Sequence, residues 1–137
     1  MKLKTKKKKP TSYNNIINLV IYPFDVMVSI AETDLELGKK LENHGVDIKN
    51  ETGWLFVSDT NNARTVVFSG NQTLIRLKYI PVTPEQKGEL AHEIAHAVFF
   101  FCERIGLQLV PMTSCEAYTY MIQYLTKEIY KTIDGKR

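Results

Sequence analysis

A chain of 137 residues, 44% hydrophobic and 24% charged, fits one globular domain able to bury its own core, and excludes a disordered or fibrous architecture. Six of its 18 basic residues (Lys2, Lys4, Lys6, Lys7, Lys8 and Lys9) fall in the first nine positions, and the 12 left face all 15 acidic residues, so the body is mildly acidic at net −3. Only two cysteines occur, Cys102 and Cys115, without C-x-x-C spacing, which suits two free thiols and a reducing, cytoplasmic setting.

Residues 1–12 read as a basic tail and 13–137 as a single domain. A like-charge block ahead of Pro10 reads as a solubilising extension, with weak nucleic-acid contact as its alternative role. The apolar run after it, IINLVIY, stops at Pro23 and meets Asp25, which is too short for a secretory core. No run reaches the length of a membrane span, so no membrane partner is expected.

In chain order, residues 17–22 and 26–31 are β-branched enough to predict strands, with Pro23 as a break or bulge between them. Thr33 and Glu36 then form a T-x-x-E capping box, Leu37 and Leu41 share a face, and Gly45 supplies a stop, which predicts a short helix. His44 falls in its last turn as a surface residue. Residues 54–58, 64–69 and 73–80 alternate with turn residues and predict further strands, and Gly70-Asn71 marks a hairpin between the last two.

Beyond this the pattern turns helical. Thr83, Pro84 and Gln86 supply an N-cap, a proline at the first helical position and a capping-box partner, and Gly106 supplies the end, so a helix is predicted over 84–105. A last helix is predicted over 114–133, with Tyr118, Met121, Ile122, Leu125 and Ile129 as its apolar stripe.

The first of these two helices carries the chemistry, because residues 92–96 read H-E-x-x-H. At about 100° per residue His92 and His96 lie roughly 40° apart and one turn along, so both imidazoles can reach one ion. Glu93 flanks the pair, within reach of a water but badly placed as a ligand beside both histidines. That geometry suits a general base acting on a zinc-activated water whose pKa falls to about 7. The apolar run from Ile94 to Cys102 predicts a helix buried nearly all round, and burying two imidazoles and a carboxylate without partners is costly, which favours one zinc ion at the site.

A catalytic zinc site needs a third protein ligand and an open position. Phe99 and Cys102 stand where the metzincin extension has glycine and histidine. Cys102 points about 80° from His92 and reads as a core thiol, while Glu103 shares the histidine face about 10 Å too far along. Glu116, at the start of the last helix across a reversing loop, is the remaining candidate. It also completes a T-x-x-E box with Thr113, which explains a glutamate there without a metal. Tyr120, one turn after Glu116, is a candidate donor to a developing oxyanion, or else a core aromatic.

His92, Glu93, His96 and Glu116 together resemble the gluzincin class of metallopeptidases, in which a glutamate on the next helix completes H-E-x-x-H. More narrowly, TPEQKGELAHEIAHAVFFFCERIGL followed by CEAYTYMIQYL resembles small phage-encoded peptidases and the ImmA/IrrE group, over about residues 72–126. The N-E-x-x-x-D pattern of larger gluzincins around Glu116 is missing, as is room for a second substrate lobe. The resemblance implies an α+β zincin-like domain: a small, mostly antiparallel N-terminal sheet with one helix, the H-E-x-x-H helix, and an antiparallel C-terminal helix. It implies a zinc metallopeptidase acting on a protein or peptide in a phage or mobile-element setting. In zincins a sheet edge above the active-site helix takes the substrate as an added strand, and residues 73–80, with Arg76 and Lys78 on one face, resemble that element. The rival expectation is a catalytically silent zincin-like metal-binding module serving as a virion or regulatory protein, its lysine tail contacting DNA.

Overall fold

The computed structural model describes residues 12–19, 25–56 and 61–135. The lysine tail and most of the stretch around Pro23 lie outside these. The described chain is α+β: β1 (Tyr13–Asn18), β2 (Asp25–Ile30), α1 (Asp34–Asn43), β3 (Ala63–Val67), β4 (Thr73–Leu77), α2 (Pro84–Arg104) and α3 (Cys115–Asp134).

The four strands form one sheet in the order β1-β2-β4-β3, with β2 and β4 parallel and both outer pairs antiparallel. It is therefore mixed, with two of its three pairings antiparallel, in keeping with the mostly antiparallel sheet expected. The Gly70-Asn71 hairpin forms as its turn residues predict: Val67 faces Thr73 in register, Phe68 N–H donates to Gln72 O at 2.9 Å, and Asn71 takes the left-handed φ of 69°. The parallel pair places β4 in the interior, hydrogen-bonded on both sides, and leaves β3 at one edge of the sheet with β1 at the other.

Period-two alternation splits the strand side chains between two cores. Val26, Val28 and Ile30 of β2, with Ile75 and Leu77 of β4, join α2 and α3 on one face through Leu90, Ile94, Val98, Leu125 and Ile129. Met27 and Leu74 point the other way and pack with Leu37 and Leu41 of α1, Trp54 and Phe68. Two of the three capping boxes read from the sequence form, Thr33 with Glu36 and Thr83 with Gln86, and helix α2 runs into Gly106 at φ 72°.

Of residues 54–58, expected in a strand, Trp54 and Leu55 form a turn and bend and Phe56 is irregular, while 57 and 58 lie outside the described residues. The carbonyls of residues 53–55 find arginines rather than a neighbouring strand: Arg64 Nη1 donates to Gly53 O at 2.8 Å and Leu55 O at 3.1 Å, and Arg76 Nη1 to Trp54 O at 2.6 Å. Trp54 still buries its ring, against Gly38 of α1, where an added Cβ would sit 3.1 Å from the indole. No helix among the described residues is long and apolar enough to cross a membrane.

Candidate metal centre

Helix α2 turns one stripe into the core, Leu90, Ile94, Ala97, Val98 and Phe101, at the spacing of a single helical face. His92 and His96 lie off that stripe and are exposed, and so is Phe99, at 45%. The helix is thus amphipathic here and not buried all round. Three successive phenylalanines cannot share one face at 100° per residue: Phe101 enters the core, Phe100 is half-buried, and Phe99 stays at the surface. The expectation that burial forces a metal onto the histidines fails; of the three motif residues only Glu93 is buried, at 8% exposure.

The two imidazoles do converge. His92 Nε2 and His96 Nε2 stand 3.0 Å apart, with the ring planes at 76°. His96 is braced by Phe100 one turn on, their rings stacked at 20° with centroids 5.8 Å apart. Two nitrogens bound to one tetrahedral zinc at 2.0–2.1 Å stand roughly 3.3 Å apart, so an ion fits this pair after a shift of a few tenths of an ångström. Without an ion the same spacing is a hydrogen bond between one protonated and one bare ring nitrogen.

Glu93 turns toward β3. Thr65 Oγ1 lies 2.6 Å from Glu93 Oε2 and 2.9 Å from the Glu93 main-chain oxygen. Beside this contact opens a cleft of about 390 Å³, lined by Asn61, Asn62 and Ala63 at the entry to β3 and by Gly88, Glu89, His92 and Glu93 of α2. Glu89 Oε2 is buried without a hydrogen-bond partner among the described residues. Edge strand β3, helix α2 and the cleft therefore lie together.

The other candidates sit apart from the histidine pair. Glu116 is exposed at the second position of α3, and no third His, Cys, Asp or Glu among the described residues groups with His92 and His96 in a way that would hold an ion. Its capping box with Thr113 is not formed either. Ser114 takes the N-cap position, and its hydroxyl serves the preceding loop by accepting from Val110 N–H at 2.8 Å and donating to Gln108 O at 2.6 Å. The start of α3 nonetheless meets α2 just beyond the motif, where Tyr118 packs on Phe99 with centroids 5.7 Å apart. Tyr120 is 66% exposed. Glu103 and His44 are at the surface.

Arg76, expected on a substrate-facing strand with Lys78, is buried beneath α1. Its guanidinium bonds Trp54 O and Asp34 Oδ1 and lies over the Phe56 ring, 4.4 Å from its centroid. The interior position of β4 is the reason, since the face carrying Arg76 is covered by α1 and the Trp54 turn.

Cys102 is a buried core thiol, and burial pushes its pKa up. It therefore stays protonated at neutral pH and out of reach of reagents. A thiol-reactive dye should label about one equivalent per native chain, at Cys115, and a second only in denaturant. Peptide mapping that finds Cys102 labelled as fast as Cys115 would contradict this packing.

Thr65 is the member of this arrangement that sequence reasoning missed. A polar residue between Ala63 and Val67 on one face of β3 was the available signal, but its partner lies 28 residues away, beyond any periodicity. Compared with known protein families, curated proteins and solved structures, the chain matches none.

Proposed function

We propose that this chain is a zinc-dependent peptidase in which His92 and His96 hold the ion, Glu93 is the general base, and the fold is a small zincin-like α+β domain. The observation that carries the reading is the convergence of the two Nε2 atoms at 3.0 Å beside a cleft lined by Glu93, whose buried carboxylate is anchored by Thr65. Glu116, on the helix that meets α2 at Phe99, is the proposed third donor, and Tyr120 a proposed oxyanion donor on the same helix. When bound, zinc supplies Lewis acidity and lowers the pKa of water to about 7.

The chain's own residues do the rest. Glu93 removes a proton from the attacking water and returns it to the leaving amine. The outer edge of β3 offers main-chain groups to an extended peptide laid along the cleft, taking the place expected of residues 73–80. Glu89 Oε2 offers such a peptide an acceptor for an N–H or ammonium group.

Elemental analysis tests the metal. Purified protein should carry one zinc per chain, His92→Ala and His96→Ala should carry none, and Glu116→Ala should bind at least tenfold more weakly. A zinc-free protein that takes up no zinc on titration would end this reading. A second reading is favoured by the two-donor geometry: a metal-binding module without turnover. Zinc bound in full by a chain that cleaves neither unfolded nor repressor-like proteins would select it.

A further inference from the structure

We propose that Thr65 is the positioning residue for the general base: its hydroxyl anchors one oxygen of Glu93 and leaves the other to face the cleft. This rests on the hydrolase reading above and deepens it. Thr65 is the middle residue of β3, on the side turned to α2, and Oγ1 stands within hydrogen-bond distance of both Glu93 Oε2 and the Glu93 main-chain oxygen.

A hydroxyl carries one proton and two lone pairs, so it donates to only one of these oxygens at a time. With the carboxylate charged, Oε2 is the stronger acceptor and takes the hydroxyl proton. With Glu93 holding on Oε1 a proton taken from water, Oε2 is a carbonyl oxygen that still accepts from the Thr65 hydroxyl, and the main-chain oxygen 2.9 Å away is a second acceptor for the same hydroxyl proton. One residue thus serves both states without a change of rotamer at Glu93. The base stays aimed between receiving the proton and giving it back, and Oε1 is the oxygen left for the water. The anchor comes from outside α2, so it fixes the carboxyl against rotation in a way the helix's own neighbours do not.

Thr65→Val keeps the branched shape and strand preference while deleting the hydroxyl; Thr65→Ser restores it. On the full chain loaded with zinc and a denatured-protein substrate, Thr65→Val should keep its zinc and KM and lose roughly 10- to 100-fold in kcat. Thr65→Ser should recover most of that, and Thr65→Val should cost nothing further in a Glu93→Gln background. A second readout needs neither metal nor activity: in metal-free protein the Glu93 carboxyl-carbon NMR resonance should move in Thr65→Val and stay near its wild-type position in Thr65→Ser. An unmoved resonance, an unchanged kcat, or an equal loss in the serine variant would overturn the assignment. A zinc-loaded wild type without hydrolysis would sink the peptidase reading and this role with it. Hydrolysis that is indifferent to Thr65→Val would sink this role alone.

Discussion

Glu93→Gln should bind zinc as the wild type does and hydrolyse peptide bonds 100- to 10,000-fold more slowly, the range a general base contributes. The substitution keeps the shape of the side chain and an acceptor oxygen for the Thr65 hydroxyl, so the β3 to α2 contact survives. What is lost is the ability to take a proton. Because Glu93 is not among the proposed ligands, metal content is an internal control: zinc lost together with activity would mean the carboxylate supports the site structurally. Measured against an unfolded-protein substrate, a mutant rate within a few-fold of wild type would remove Glu93 from the mechanism. It would leave the histidine pair as a metal-binding feature only.

Local signals foretold the helices well because their determinants are local. Thr83 to Gln86 and Thr33 to Glu36 each satisfy helix-start donors within four residues, and Gly106 needs only its own backbone freedom to end α2. The H-E-x-x-H spacing likewise brings His92 and His96 together through helix geometry alone. Strand order is another matter. The parallel pairing of β2 with β4 joins Val28 to Ile75, residues far apart in sequence, and it alone decides which strand is outermost. Hence β3 rather than β4 lies at the edge beside the motif.

The same limit explains the misplaced burial of the histidines and the missing strand at Trp54. A run such as VFFF looks apolar in one dimension, but a helix divides it among three directions and only Phe101 reaches the core. The stretch WLF has strand-like composition, yet its carbonyls bond to Arg64 and Arg76 side chains, which no pattern of apolar residues reveals. Glu116 illustrates the third case. A capping box and a metal ligand were both compatible with its position, and the helix instead begins one residue later than the box requires, capped at Ser114.

Those arginine contacts make Arg76 the side chain on which a stability experiment has most to say. It is only 2% exposed, and its Nη1 supplies a hydrogen bond to the main-chain oxygen of Trp54, while Nη2 meets Asp34 Oδ1 at 2.5 Å. Asp34 is more than half exposed, so water replaces its partner if Arg76 is removed, and the ion pair itself adds little. The main-chain oxygen of Trp54 has no such recourse, and the space left beneath α1 would be a cavity between Trp54 and Phe56. Arg76→Ala should therefore destabilise the fold by about 3 kcal/mol, from cavity and unsatisfied carbonyl together, lowering Tm by roughly 10 °C in a domain of this size. Arg76→Met refills much of the volume without the donors and should fall between Arg76→Ala and wild type, whereas Asp34→Asn should cost less than about 1 kcal/mol. Thermal melts of the three variants separate the contributions. If Asp34→Asn matches Arg76→Ala, the charge pair rather than the bond to the Trp54 turn holds α1 and this loop on the sheet.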